Sequence, residues 1–269
     1  MRWILLCGCA LVACGDDSPG ETDAGIDASA DPVDASTDPV DAMASDAGCV
    51  LPAARVVSFS TEDGLMLEAD HYPVAAGSPA AVLLHMIPPS NTRANYPSSF
   101  IEALYCRGIT VLNVDRRGAG GSEGDPVDAY EGPDGVLDAK GAVEWLLAEE
   151  LAPDETRIGV VGASNGTTTL LDFTVFAEMA RTVEEPRGVV LLSGGSYTTN
   201  QNELSETVIG ANALFVYPAA EAAWNESVAA SAPAAWRFEE VDPGGHGTML
   251  FTAAPETETL VADYLAEVL

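Results

Sequence analysis

Basic side chains are scarce in this chain, which has a single lysine, Lys140, among 269 residues. Against 42 Asp and Glu residues stand only 11 Lys and Arg residues, so the formal net charge at pH 7 is -31. Nucleic acids and anionic membrane surfaces are bound through basic patches, and this charge argues against both as partners. The excess of acid predicts a strongly solvated surface, with adaptation to salt as the alternative.

Histidine and cysteine are also few, with 3 and 5 residues. The sequence H-E-x-x-H does not occur, and the cysteines that remain after N-terminal processing are too few to build a zinc site with these histidines. The sequence therefore predicts neither a metal nor a cofactor.

The apolar run near the N-terminus, Trp3 to Ala13, is too short to span a bilayer. It follows the positive Met1-Arg2 and has the length of a signal-peptide core. It ends in Leu11-Val12-Ala13-Cys14, which resembles the bacterial lipobox, whereas a cleavage before Cys9 would leave the run too short. We expect residues 1–13 to be a signal peptide and a lipidated Cys14 to anchor the protein in the bacterial cell envelope, outside the cytoplasm. An ordinary signal peptide with a chance cysteine is the alternative.

Residues 14–48 are rich in Asp, Ala, Ser and Pro and hold almost no large apolar side chain. Such a segment cannot bury enough apolar surface to fold, and its like charges repel one another. Its spaced aspartates lack the Gly-centred loop and closing Glu of a calcium site. The segment is predicted to be a disordered tether, followed by one folded domain over residues 49–269.

Two cysteines remain in that domain once the signal peptide is removed and Cys14 is lipidated, namely Cys49 and Cys106. Leftover thiols often pair in an oxidising compartment. A disulfide between them would join the end of the tether to the domain, and two unpaired cysteines are the alternative.

Apolar runs typical of buried strands alternate with helical patterns along the domain, which predicts a mostly parallel sheet with helices on both faces. The strands are expected at Arg55–Ser60, Leu65–Tyr72, Ala80–His85, Ile109–Asp115, Arg157–Gly162, Gly188–Ser193, Ala213–Tyr217 and Ala235–Val241. The helices are expected at Ser98–Arg107, Asp134–Glu150, Thr167–Arg181 and Glu256–Leu269.

The sequence Gly162-Ala163-Ser164-Asn165-Gly166 fits G-x-S-x-G and stands between a predicted strand and a predicted helix. A sharp strand-to-helix turn requires glycine on both sides of a serine held at strained dihedrals. Such a turn raises the serine hydroxyl above the sheet, at the N-terminus of a helix that favours negative charge. The context predicts that Ser164 is a nucleophile rather than part of a merely structural turn.

Four further motifs accompany this turn, at Leu83-Leu84-His85-Met86, Asp115 to Ser122, Leu191 to Gly195, and Gly244 to Thr248. With them the chain, from about Arg55 to its C-terminus, resembles the α/β-hydrolase superfamily. In particular it resembles the compact esterase and dienelactone-hydrolase-like group with a His-Met oxyanion loop. The resemblance implies an α/β-hydrolase fold and a catalytic order of Ser, acid and His along the chain.

Of the three histidines, His246 alone follows Ser164 in the chain, in a glycine-rich loop after the last strand. The order implied by the resemblance therefore predicts that His246 is the general base. His71 is expected to be a structural strand residue, and His85 to shape the loop after its strand.

The acid of the triad is less sharply defined. The family places it shortly after the seventh strand, which indicates Glu221, since a glutamate can orient the imidazole as an aspartate does. Glu203, Glu206 and Asp242 remain as alternatives.

An oxyanion hole needs two backbone N–H groups. The resemblance implies one from Asn165, after the nucleophile, and the other from Met86 or Ile87, because Pro88 and Pro89 have no N–H to donate. Asp115 and the glycines after it are expected to shape a neighbouring loop.

Together these residues predict a serine hydrolase that cleaves small carboxylic esters through an acyl-enzyme. A peptidase or thioesterase with the same triad is the alternative, as is an inactive surface-binding module. The stretch from Gly194 to Asn212 is short and polar. It can build one short helix at most, so no cap domain over the site is expected.

Overall fold

In the computed structural model, residues 48–181, 183–204, 209–210 and 212–269 are described. These described residues form eight strands, β1 Arg55–Ser60, β2 Met66–Tyr72, β3 Ala80–Leu84, β4 Thr110–Val114, β5 Ile158–Ala163, β6 Gly188–Leu192, β7 Asn212–Pro218 and β8 Trp236–Val241. The α-helices of the described residues are α1 Ser98–Tyr105, α2 Pro133–Ala148, α3 Asn165–Ala180, α4 Thr199–Asn202, α5 Ala222–Ala229, α6 Met249–Ala253 and α7 Glu256–Val268. The predictions for the signal peptide, Cys14 and the tether up to residue 47 lie outside the described residues.

All eight strands belong to one sheet, in the order β1-β2-β4-β3-β5-β6-β7-β8. Strands β3 to β8 pair in parallel, and β2 runs antiparallel to both of its neighbours. Strand β5 lies at the centre, where Leu84 of β3 pairs with Gly162 and Leu192 of β6 pairs with Ala163. The carboxyl ends of β3, β5 and β6 therefore meet at one edge, which is where open α/β sheets bind their ligands.

Helices cover both faces of the sheet. Val82 and Leu84 point into a core shared with α2, α3 and α5, whereas Ala81 and Leu83 point into a second core shared with α1, α6 and α7. The side-chain period of two in a strand explains this alternation, and full burial on both faces explains why the strands read as continuous apolar runs. The predicted mostly parallel sheet with helices on both faces is confirmed.

The predicted elements agree with the structure to within a few residues, and the differences lie in short helices. Neither α5 nor α6 was expected from the pattern. Helix α5 buries only Asn225 and Val228, too few apolar positions for a helical period to show. Between β6 and β7, α4 is the one helix in the described residues, and it buries only Gln201. The described residues of this connection form no cap domain.

Cys49 and Cys106 form a disulfide that joins the chain just before β1 to the end of α1. Among the helices of the described residues, none has both the length and the apolar composition needed to cross a bilayer.

Candidate active site

Ser164 stands at the turn between β5 and α3, with φ 50° and ψ -119°. Positive φ is unfavourable for a residue with a side chain and persists only where the surroundings enforce it. The flanking glycines explain how the turn closes. A Cβ on Gly162 would lie 2.5 Å from the Gly166 carbonyl oxygen, and a Cβ on Gly166 would collide with the Leu84 carbonyl. The turn therefore needs both glycines of G-x-S-x-G, and it leaves the Ser164 hydroxyl at the carboxyl edge of the sheet.

His246 and Glu221 complete a chain of hydrogen bonds with Ser164. The His246 Nε2 atom lies 2.6 Å from Ser164 Oγ, and its Nδ1 atom lies 2.7 Å from Glu221 Oε1. Glu221 follows β7, and His246 occupies the loop between β8 and α6. Three separate connections thus bring a hydroxyl, an imidazole and a carboxylate into the order of a nucleophile, a base and an orienting acid.

Of the other acids named above, Glu203 and Asp242 form no hydrogen bond or salt bridge with His246. Glu203 caps the end of α4, and Asp242 lies at the start of the histidine loop. Glu206 lies outside the described residues. Glu221 is half-buried, and its second oxygen, Oε2, is buried without a hydrogen-bond partner among the described residues. A carboxylate with one unpartnered oxygen gains most from a positive imidazolium beside it, which is the charge that a reacting triad develops.

The loop that carries His246 is attached to the end of β6. The Gly247 N–H donates to Ser193 Oγ over 2.8 Å, and Ser193 is fully buried with φ 57°. Gly247 itself has φ 60°, and a Cβ there would lie 2.5 Å from Met86 Sδ. The histidine loop is therefore packed tightly between the β3 loop and the β6 end. Ser193 was not identified as a site residue from the sequence, although it belongs to one of the matched motifs.

Three backbone N–H groups predicted for an oxyanion hole stand beside this array. Asn165 opens α3, so its N–H has no partner within the helix. The N–H groups of Met86 and Ile87 follow β3 and make no hydrogen bond within the described residues. Unpaired N–H groups at a helix N-terminus and a neighbouring loop can receive a developing negative charge.

The two remaining histidines have structural surroundings. His71 is buried against Trp145, and burial lowers its pKa to about 4. His85 accepts the Arg116 backbone N–H at Nε2 and contacts the Met86 carbonyl through Nδ1. Burial, followed by the Arg116 charge, lowers the pKa of His85 to about 3. Its neutral ring must therefore carry its proton on Nδ1, which holds the backbone of Met86 in place.

Asp115 anchors the loop after β4, as its motif predicts. Its carboxylate accepts the backbone N–H groups of Arg93 and Gly121. The same motif gives no sign that the adjacent Arg116 is fully buried, with its guanidinium against the Asn165 side chain. Charged side chains usually lie at the protein surface, so the sequence pattern gave no indication that Arg116 would be buried against Asn165.

No group of His, Cys, Asp or Glu side chains in the described ranges could hold a metal ion.

The family profile of X-Pro dipeptidyl-peptidases, the S15 family, matches residues 63–237. The chain belongs to the S15 family. The matched part includes Ser164 and Glu221 and ends before His246. Two uncharacterized proteins of Mycobacterium tuberculosis strains are 35% identical to the chain over 133 residues. That alignment covers 48% of this chain and 44% of theirs, so the chain matches less than half the length of these relatives.

Solved structures of hydrolases share the fold. An esterase of Pyrococcus furiosus is 19% identical with a TM-score of 0.59, over 80% of this chain and 91% of its own. A dienelactone hydrolase of Anabaena variabilis is 18% identical with a TM-score of 0.59, over 81% and 97%. The α/β-hydrolase fold is thus confirmed. Membership of the narrower group with a His-Met oxyanion loop remains a prediction.

Proposed function

We propose that the protein is a serine hydrolase that cleaves carboxylic esters through an acyl-enzyme intermediate. The observation that carries the proposal is the continuous hydrogen-bonded array from Ser164 Oγ through His246 to Glu221, with distances of 2.6 and 2.7 Å. Nucleophile and base within hydrogen-bond reach, with the base oriented by a third group, is the arrangement that activates a serine.

In the proposed reaction, His246 Nε2 takes the Ser164 proton as Oγ attacks the ester carbonyl carbon. The carbonyl oxygen becomes an oxyanion and is held by N–H groups of Asn165 and of Met86 or Ile87. The tetrahedral intermediate then expels the alkoxide, which receives the proton from His246. Water attacks the resulting acyl-enzyme, again through His246, and the carboxylic acid leaves. Glu221 keeps the imidazole oriented and offsets its transient positive charge in both halves of the cycle.

Open access to the site supports small, soluble esters as substrates. The His246 side chain is 43% exposed, and the β6–β7 connection is too short for a cap. With no lid to open, rates should not jump when a substrate passes from solution into emulsion. We expect p-nitrophenyl esters to saturate normally and to react more slowly as the acyl chain lengthens. A burst of activity on emulsified long-chain ester would point instead to a lipase.

A fluorophosphonate probe tests the nucleophile directly. It should label the wild-type chain at Ser164, and neither Ser164→Ala nor His246→Ala should be labelled. Ester hydrolysis should be lost almost wholly in each single variant, and the double variant should lose little more, because triad members act as a unit. Strictly additive losses, or a folded wild-type chain that resists the probe, would contradict the assignment. A folded but unlabelled chain would favour the binding-module alternative.

Peptide hydrolysis is the second candidate, and the match to the S15 family over residues 63–237 favours it. The same triad serves both reactions, but an amide leaves only after His246 protonates the amine, so peptidases also need a site that fixes the peptide. Rates on p-nitrophenyl acetate and on an X-Pro p-nitroanilide, with a thioester as a third substrate, would separate the candidates. A higher kcat/KM on the X-Pro substrate would replace the esterase proposal.

We also propose that the domain is held outside the cytoplasm by a lipid on Cys14, as the lipobox-like Leu11-Val12-Ala13-Cys14 suggests. Acyl chains contribute about 0.8 kcal/mol for each buried CH₂, so several chains anchor stably without a transmembrane helix. Intact-mass analysis of membrane fractions should find acyl additions that vanish in Cys14→Ala. An unmodified product that begins at another residue would refute the anchor.

A further inference from the structure

Arg116 is a buried cation without a carboxylate of its own. Its side chain is fully buried, and no Asp or Glu of the described residues forms a salt bridge with it. The adjacent Arg117, by contrast, is paired with the buried Asp138. Desolvation makes an unpaired buried charge costly, and burial indeed lowers the pKa of Arg116 to about 10. The cost of burying this charge without a carboxylate partner indicates that the charge has a role at this position.

The partners of the guanidinium are neutral oxygens on the two sides of the proposed oxyanion site. On the side of α3, both terminal nitrogens donate to Asn165 Oδ1, over 3.1 and 3.0 Å. On the side of β3, Nη1 donates to the carbonyl oxygens of His85 and Met86, over 3.0 and 3.4 Å. Away from the site, Nη2 donates to Thr169 Oγ1 and to the Ala129 carbonyl. One planar cation thus joins the two segments whose amides would hold the oxyanion.

These contacts also orient the amides. In a planar trans peptide, the C=O and the following N–H point in opposite directions. Because the His85 and Met86 carbonyls turn toward Arg116, the N–H groups of Met86 and Ile87 must turn away from it. The bonds to Asn165 and the bond from Asn165 Nδ2 to the Tyr130 carbonyl hold the first residue of α3 in the same way. The positive charge of Arg116 therefore lies at the carbonyl ends of these peptide groups. There it increases the peptide dipoles, whose positive N–H ends point away from Arg116.

We propose that Arg116 is a positioning residue, whose buried charge and fork of hydrogen bonds hold the oxyanion amides and favour the anionic tetrahedral intermediate. The inference rests on the proposed serine hydrolase function. Carbonyl, amide and hydroxyl dipoles solvate the guanidinium without neutralising it. Asp138, whose charge also acts on Arg116, forms its salt bridge with Arg117, so the Arg116 guanidinium keeps a positive field at the site. That field favours the transition state over the neutral ground state, so it should act on kcat more than on KM.

Thr169 offers a test in which only charge differs. It contacts Nη2 of Arg116 over 2.7 Å and lies on the second turn of α3. Thr169→Asp places a carboxylate against the guanidinium, and Thr169→Asn places a neutral side chain of the same shape there. We expect kcat on p-nitrophenyl acetate to be about 10- to 100-fold lower in the Asp variant than in the Asn variant, with KM changed less than about 2-fold. The inhibition constant of benzeneboronic acid, which forms an anionic tetrahedral adduct on a serine, should rise by the same factor as kcat falls.

Substitution of Arg116 itself gives a second readout. Arg116→Met should lower kcat by at least the same factor, and Arg116→Lys should recover part of the loss because it keeps a charge while losing the fork. If Arg116→Met does not fold, the comparison of Thr169→Asp with Thr169→Asn still tests the role of the Arg116 charge. Suppose that the wild-type chain reacts with the fluorophosphonate but that the two Thr169 variants have equal kcat and equal boronate inhibition constants. That result would overturn the role of Arg116 and leave the hydrolase proposal standing. Failure of the wild-type chain to react would overturn the hydrolase proposal and this inference together.

Discussion

Replacement of Ser193 by alanine and by glycine would test how the catalytic loop is held. Both substitutions remove the hydroxyl that accepts the Gly247 N–H, so both release the loop of His246 from the end of β6. They differ in the backbone. Residue 193 has φ 57°, a conformation that costs a residue with a Cβ about 1–2 kcal/mol and costs glycine almost nothing.

The magnitudes follow from these two facts. Gly247 is buried, and a buried N–H without an acceptor costs about 1–3 kcal/mol. Ser193→Ala should therefore lower the free energy of unfolding by about that amount, because alanine keeps the unfavourable φ. Ser193→Gly recovers roughly 1 kcal/mol of backbone strain and should be the more stable of the two. Their activities should nevertheless match, at about 10- to 100-fold below the wild type, since a small displacement of the base is enough.

Urea denaturation and ester kinetics on the same three proteins would measure both quantities. We expect the wild type to be the most stable, Ser193→Gly to be less stable and Ser193→Ala to be the least stable. The two variants should have similar kcat/KM values, well below that of the wild type. The fluorophosphonate labelling rate should follow kcat/KM, because it uses the same base. If Ser193→Ala loses stability as calculated but keeps its full activity, then other contacts of the loop hold His246, and the role assigned to Ser193 is wrong.

Three further outcomes are expected. Glu221→Gln should slow turnover on the order of 10⁴-fold without unfolding the chain, whereas the matched Glu203→Gln should leave ester kinetics unchanged. Joint replacement of Cys49 and Cys106 by serine should lower the free energy of unfolding by about 4 kcal/mol, the loop entropy for a separation of 57 residues, and should spare activity. Burial lowers the pKa of His71 to about 4, so the stability that depends on its neutral form is complete above pH 6.5 and is lost as pH falls toward 4. In urea titrations, His71→Phe should therefore lose less stability than the wild type between pH 7 and pH 5.

The sheet could be predicted from the sequence because its strands are buried on both faces. Strands such as β3 and β6 contain only buried residues, so they read as short apolar runs between turn residues. Helices α4, α5 and α6 bury few side chains and leave no such period. The same contrast explains why element boundaries agreed within a few residues in the core and why α5 and α6 were not predicted.

Part of the candidate site was accessible in the same way. The turn at Ser164 depends on glycines, which the sequence displays, and the place of His246 follows from chain order. The contact with Glu221 depends on how two loops meet in space. The position after the seventh strand therefore favoured Glu221, but the sequence could not exclude Glu203, Glu206 and Asp242. The roles of Ser193 and Arg116 could not be predicted from the sequence. Serine seldom adopts a positive φ and arginine is seldom fully buried, so both residues depart from the usual preferences of their types.

The disulfide has a mechanical consequence. Strand β1 lies at the edge of the sheet and pairs only with β2, so tension applied to the chain before it would peel it away one hydrogen bond at a time. Cys49 stands ahead of β1, and its bond to Cys106 passes such tension into the end of α1 before it can reach the strand. A domain held at its N-terminal side would therefore be loaded through a covalent link to a packed helix. The edge strand β1 would be shielded from the pull.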